Sequence, residues 1–300
     1  KNTTTVHHIV DFGDLPVFAA TAYPCIVVLQ KAKPAEAHTF TALEVQDVEV
    51  VERVGEAVST EGWQQEQQTV GPEGWVLTQV ETIRLMQKLR TTGLPLNDYV
   101  GGAFYRGVVT GHNEAFVIDE VVRNELIAAD PRSADVIKPW LRGRNVEKWR
   151  PRPSASYLLY IPWDFRIDDY PAIKAYLLRH RASLSSRPEV KEGRYPWYAL
   201  SRYGAEFAHE FEKPKIVYPD ISANVAFAYD SDGFYGGNTI YFIPSKDLFL
   251  LGLLNSRAVE FYYRHVSPTV RGGYLRFFSP YVGKIPVPEP TATHRLAIER

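Results

Sequence analysis

The stretch from Leu94 to Trp149 narrows what this chain can fold into more than any other, because it alternates short apolar runs with residues that break regular structure. Phe104 to Thr110 and Glu114 to Val121 are rich in β-branched and aromatic residues. Gly111-His112-Asn113 between them can supply the positive φ values of a tight reversal. Read locally, this is a β-hairpin. A cationic block follows, Ile137-Lys138-Pro139-Trp140-Leu141-Arg142-Gly143-Arg144-Asn145-Val146-Glu147-Lys148-Trp149, with Pro139 and Gly143 setting backbone turns.

The net charge of −1 hides an uneven distribution. Residues 1–80 carry four Lys/Arg against eleven Asp/Glu, whereas residues 132–202 carry fifteen Lys/Arg against seven Asp/Glu. Such asymmetry is the footprint of a surface that attracts phosphate while another region faces away. Lys138, Arg142, Arg144, Lys148, Arg150 and Arg152 are the densest supply of cations, with Arg271 and Arg276 around a Gly-Gly as a second group. Arg202 is a further candidate, and Arg106 and His112 are weaker ones. The bland reading of the whole set is a solvated, charged turn. Trp140, Trp149 and Trp197 could stack on bases but read more naturally as core.

The chain is 45% apolar and 13% aromatic, ample for a packed core, and one cysteine, Cys25, excludes an internal disulfide and a cysteine-built zinc site. A reducing cytoplasm fits this best. No apolar run approaches the roughly 20 residues that a membrane span needs, so no membrane partner is expected.

Taken in order, Ile9 to Asp14 and Cys25 to Leu29 read as two short strands, and Lys33 to Gly74 as strand and loop. Thr78-Gln79-Val80-Glu81 has the spacing of a capping box, and Val80, Ile83, Met86 and Leu89 follow at helical spacing, with Gly93 free to end the helix. Ile127 to Asp135 reads as a short helix or bend and Tyr157 to Pro162 as a strand. A helix runs from Asp168 to about Leu184, and an antiparallel pair is expected from Val225–Tyr229 and Thr239–Ile243. A single apolar helix spans Leu248 to Tyr263, with Leu251, Leu254, Ala258, Phe261 and Tyr262 on one stripe.

The order of these blocks resembles the TaqI-like C-terminal specificity domain of adenine-N6 methyltransferases and single-chain restriction-modification enzymes. Gly107, Thr110, Gly111, Asn113, Ala115 and Phe116 fit its Gly-x-x-Thr-Gly-x-Asn-x-Ala-Phe turn. Pro139, Leu141, Arg142, Gly143 and Arg144 fit its Pro-x-Leu-Arg-Gly-Arg block. Trp197-Tyr198-Ala199-Leu200, Lys213-Pro214-Lys215-Ile216-Val217, Leu254-Asn255-Ser256 and Lys284-Ile285-Pro286-Val287-Pro288 continue the series, so the resemblance runs from about residue 9 to residue 288.

The resemblance implies a mixed, largely antiparallel α+β specificity domain over residues 94–300, with helices packed on it. Residues 34–93 would be a connecting segment and helix, and residues 1–33 the last two strands of a truncated methyltransferase domain. It further implies double-stranded DNA as partner, read through Lys138, Arg142, Arg144, Lys148, Arg150, Arg152, Arg202, Arg271 and Arg276. Gly107, Gly111, Asn113 and Gly143 would serve as structural turns. S-adenosylmethionine and the catalytic methyltransferase domain, with a nuclease domain in some parents, would belong to the missing part. The chain itself carries no Asn-Pro-Pro motif, and Gly101-Gly102 lacks the strand-turn-helix setting of a nucleotide loop, so no cofactor and no catalytic residue are assigned to it.

Two alternatives stay open on sequence grounds. One is a protein-interaction remnant that docks on a separate methyltransferase or nuclease subunit. The other is a metal-dependent endonuclease built from Asp168 or Asp169 with Glu189-Val190-Lys191, whose turn-like setting is unlike the core strand such a motif needs.

Overall fold

The computed structural model describes residues 3–20, 22–70, 75, 77, 78, 80–270 and 273–299. The leading segment forms one four-stranded sheet in the order β2-β1-β3-β4, from β1 (Thr5–Asp11), β2 (Cys25–Gln30), β3 (Thr39–Glu44) and β4 (Trp63–Glu66). β1 pairs antiparallel with β2 and parallel with β3, and β3 pairs antiparallel with β4. The two expected strands are present. The hydrogen bonding does not stop at residue 33, however, because residues 39–66 of the expected connecting segment complete the same sheet. Val10, Phe12 and Leu43 pack in one small core of this segment and Val6, Ile9 and Phe40 in another. β2 is the sheet edge, and all six of its residues are exposed.

The remainder is organised by the strand Lys215–Pro219, whose five residues are all buried. It lies between Ala228–Asp230 and Ile240–Ile243, antiparallel to both, and Tyr105–Arg106 adds to the far side of Ile240–Ile243. Side chains alternate across a strand. Val217 and Phe242 therefore join a core containing Phe116, Trp140 and Leu158, while Ile216, Tyr218 and Ile243 join a second core containing Leu250, Tyr263 and Phe277. A strand covered on both faces reads as a continuous apolar run, as Ile216-Val217-Tyr218 does. A second sheet places Ile137–Leu141 between Tyr235–Gly236 and Ser156–Leu159, with Val117–Asp119 beyond. The result is the expected mixed, antiparallel-rich α+β architecture.

Several local expectations are corrected. Phe104–Thr110 and Glu114–Val121 do not form a hairpin: Tyr105–Arg106 pairs with Ile240–Ile243 and Val117–Asp119 with Ser156–Leu159. Gly111 does adopt φ +74°, but a helical turn, Asn113–Phe116, follows it. The Asp119 carboxylate then accepts from the Val122 amide at 2.9 Å and starts a helix over Glu120–Ala129 where the strand was to continue. The strands Ala228–Asp230 and Ile240–Ile243 are not partners of each other, since Lys215–Pro219 separates them. The helix expected from Asp168 to Leu184 is two, Pro171–Leu178 and Arg181–Ser185, because Arg179 and His180 switch to i→i−3 bonds on Tyr176 and Leu177. Gly93 has no positive φ among the described glycines; a Cβ there would lie 2.1 Å from the Val287 carbonyl oxygen, so close backbone approach is what demands glycine. Gln79 of the proposed capping box lies outside the described residues.

The apolar helix over Leu248–Tyr263 is also broken, into Leu248–Leu254 and Arg257–Val266. Asn255 stops the first: its amide donates to Phe227 O at 2.8 Å and Leu251 O at 3.2 Å, and its Oδ1 accepts from Phe227 N at 3.0 Å. Ser256 then caps the second through Val259 N. The break shifts the phase, so Val259 and Tyr263 are buried while Ala258 is exposed. The Leu-Asn-Ser signature is thus a clip between the helices and the central sheet. Replacing Asn255 with Ala strands the buried Phe227 amide, while Phe227 O keeps the Trp149 amide as donor, which should lower the unfolding free energy by about 2 kcal/mol in urea titration. A loss within error of zero would contradict the clip.

Candidate nucleic-acid interface

Three segments meet at the turn Gly236-Gly237-Asn238-Thr239. From the first, Arg106 Nε donates to Asn238 O at 2.9 Å, and Gly107 N and Val108 N donate to Ile240 O and Gly236 O. From the second, the Gly143 amide donates to Thr239 Oγ1 at 3.3 Å, while Leu141 O accepts from Gly237 N. From the third, Asp220 N donates to Thr239 O at 2.8 Å. Backbones this close exclude side chains: a Cβ on Gly107 would sit 2.2 Å from Gly237 O, and one on Gly143 2.9 Å from Thr239 O. The two motif glycines are therefore what bring the arginine-bearing segments together.

Arg106, Arg142 and Arg144 are exposed around this junction. Arg276 joins through Asp220, with Nε 3.9 Å from Oδ1. Arg202 joins through its backbone, which exchanges two 2.9 Å hydrogen bonds with Val109. Arg142, Arg144 and Arg202 make no ion pair or side-chain hydrogen bond among the described residues.

The other candidates are arranged differently. Lys138 pairs with Glu212 at 2.7 Å, and that hydrogen bond holds the Glu212 carboxyl below its ordinary range despite partial burial. Lys148 pairs with Glu260 at 3.3 Å and Arg152 with Glu147 at 2.8 Å, whereas Arg150 is exposed without an ion pair among the described residues. Their loop is anchored by Trp149, whose amide donates to Phe227 O and whose carbonyl accepts from Tyr229 N. Trp149 has φ +80° and is 51% exposed, against the expectation of a core residue; its backbone is the anchor and its ring is left outside. Trp140 is buried, and Trp197 is half-buried beneath the Arg181 guanidinium at 4.7 Å. Arg271 lies outside the described residues. No cation of residues 132–202 pairs with the acidic leading segment among the described ion pairs.

Sequence reasoning missed Arg187, which is 7% exposed. It donates to Leu184 O, Thr110 O and Trp197 O and lies 5.2 Å from the Tyr195 ring centre. Burial lowers its guanidinium pKa. It holds the Thr110-Gly111 turn in place, with Thr110 Oγ1 donating to Asn113 Oδ1 at 2.7 Å and Gly111 too close to Ser201 Oγ for any side chain. A lone arginine in a basic stretch carries no sequence signal for such a role.

The nuclease constellation is not assembled as its motif would need. Asp168 pairs with Lys174 and Asp169 with Arg166, and Glu189 sits on the short helix Pro188–Lys191 rather than on a core strand. Among the described residues no group of three His, Cys, Asp or Glu side chains could hold a metal ion. Among them also, no helix is long and apolar enough to cross a membrane.

The sequence profile of the TaqI-like C-terminal specificity domain matches residues 138–287, half of the chain, and covers Arg142, Arg144, Asp220, Thr239 and Arg276. The chain belongs to this specificity-domain family. It is 26% identical to the type II methyltransferase M.XhoI of Xanthomonas vasicola over 94% of its length and 53% of that protein. It is 28% identical to the type II methyltransferase M.BanIII of Aneurinibacillus aneurinilyticus over 53% of this chain and 30% of that one. The type IIL restriction-modification enzyme MmeI, solved in complex with DNA, superposes with a TM-score of 0.61 at 13% identity, over 99% of this chain and 37% of MmeI, a likeness of fold. The chain thus spans about half the length of M.XhoI, and less of the others.

Arg187→Leu takes a donor from three carbonyls, of which Thr110 O keeps the Ser201 amide at 3.4 Å, and the loss should cost about 3 kcal/mol of stability. Hydrogen exchange at the amides of Val109 to Asn113 should accelerate more than at Leu158 and Leu159.

Proposed function

We propose that this chain recognises a short double-stranded DNA sequence as the specificity part of a type II adenine-N6 DNA methyltransferase. Its parent would transfer a methyl group from S-adenosylmethionine to a flipped adenine. The observation that carries the reading is the junction itself, where Arg142, Arg144 and Arg202 are exposed and make no ion pair among the described residues, in a chain of net charge −1. Exposed arginines without a counter-ion are open to a polyanion. Their planar forks suit phosphate and guanine alike. Lys148, Arg150 and Arg152, on the loop held by Trp149, would extend phosphate contact along the duplex. Arg271, Arg276 and Lys138 complete the proposed set.

Among the described residues, the Gly101-Gly102 pair does not fit S-adenosylmethionine. Gly101 and Gly102 take positive φ values, but they follow the short helix Leu96–Tyr99 and precede no helix that could receive a nucleotide. The cofactor and the chemistry are therefore assigned to a catalytic domain outside these residues. The state of β2 supports a neighbour of that kind: it is an edge strand with Ile26, Val27, Val28 and Leu29 all at least 39% exposed, and an apolar open edge of this sort is a template for further pairing. On this reading residues 1–33 are the end of a larger sheet.

The test is the salt dependence of binding to a duplex of random sequence. Removing one phosphate-binding cation reduces the slope of log K against log salt by roughly one unit, so Arg142→Gln with Arg144→Gln should flatten it by about two. An unchanged slope contradicts phosphate binding at the junction. A wild-type chain without salt-sensitive binding favours the interaction-remnant reading.

A further inference from the structure

Arg276 differs from its neighbours at the junction because the carboxylate beside it forms an ion pair too long to be a hydrogen bond. Glu212, Glu260 and Glu147 reach their cations at 2.7, 3.3 and 2.8 Å. Asp220 stops 3.9 Å short of Arg276, and both Asp220 Oδ1 and Arg276 Nε are sealed from solvent with no hydrogen-bond partner among the described residues. Polar atoms buried without partners are uncommon and call for an explanation. Slack in the backbone is not the explanation. Asp220 is fixed through Thr239 O and Phe277 N at 2.8 Å each, and Arg276 through Ser267 Oγ at 3.0 Å and Tyr263 OH at 2.7 Å. The guanidinium rests 4.3 Å above the Phe278 ring. Both residues are fixed through their backbones, and their side chains stay 13% and 33% exposed, so their outer atoms, not the sealed Oδ1 and Nε, are what a partner can reach.

A carboxylate in a cationic rim repels phosphate, so Asp220 cannot serve backbone contact. It can serve base readout. In the major groove guanine offers two acceptors, O6 and N7, and its paired cytosine offers a donor, the N4 amino group. A planar donor fork beside an acceptor is the complement of that pattern. We propose that Arg276 and Asp220 together read one G·C base pair of the target, Arg276 donating through its terminal Nη atoms to guanine O6 and N7 and Asp220 accepting through Oδ2 from cytosine N4. The inference rests on the DNA-recognition reading above and assigns to Asp220 a specificity-determining role.

The experiment is selection of binding sites from a random duplex library by this chain and by Asp220→Ala and Arg276→Gln. The Asp220 backbone bonds to Thr239 and Phe277 do not depend on its side chain, and thermal melting checks that each variant folds. Should Asp220→Ala not fold, Asp220→Asn keeps the volume and is read in the same way. The wild-type site should contain a G·C column at which both variants lose discrimination by about tenfold, while other columns and the salt slope stay as they were. Unaltered variant sites, or an equal loss at every column, overturn the base-reading role and leave DNA recognition standing. A wild-type chain with salt-sensitive binding but no enriched site also overturns it, whereas one that does not bind duplex at all overturns the recognition reading as well.

Discussion

The interaction on which the rest of this structure depends is the ion pair between Lys215 and Asp230, direct partners across adjacent strands of the central sheet, 2.6 Å apart and each 1% exposed. Burial pushes the lysine's pKa down and the carboxylate opposes it. Lys215 also donates to Phe211 O, and Asp230 accepts from the amides of Asp232, Gly233 and Phe234. A buried pair satisfied in this way adds little net stability over an apolar pair, but losing one partner strands a charge in the core at a cost of about 3–5 kcal/mol. What the pair fixes is geometry. Asp230 gathers the start of the loop that runs through Gly233 and Tyr235 to the Gly236–Thr239 turn, and that turn is the meeting point of the arginine-bearing segments.

From this follows a division among the cations that net charge conceals. Arg142, Arg144 and Arg202 stand around the junction without counter-ions among the described residues. Lys138, Lys148 and Arg152 are matched to Glu212, Glu260 and Glu147 and would have to exchange a carboxylate for a phosphate. Surface pairs of this kind contribute little to stability and exchange readily, so they can tune the affinity of a shared surface without creating it. Among the described ion pairs none joins an acidic residue of 1–80 to a cation of the basic segment.

Much of this was legible in the sequence, and the boundary of legibility has a physical cause. Periodicity and turn chemistry located the strand near Tyr157 and the helix after Thr78, because each is set by its own residues, whereas the central strand Lys215–Pro219 stood in the sequence only as a family block. The family blocks gave the identity of the junction glycines, although not the reason for them, which is the approach of one backbone to another. Pairing across long sequence separation was not legible: Tyr105–Arg106 and Val117–Asp119 look like the arms of one hairpin, yet each has its partner more than 35 residues away. Nor was the break at Asn255, since an asparagine in an apolar helix shows its purpose only when Phe227 is beside it. Arg187 and Asp220 were hidden for the same reason, being one more base and one more acid until burial singled them out.

Hydrogen-exchange mass spectrometry of the chain with and without a saturating duplex decides whether the Gly236–Thr239 junction is the surface that meets DNA. Exchange should slow in peptides covering residues 105–109, 141–145, 236–240 and 274–277. Slowing confined to residues 5–66, or absent from all four junction segments while the duplex is bound, would contradict it.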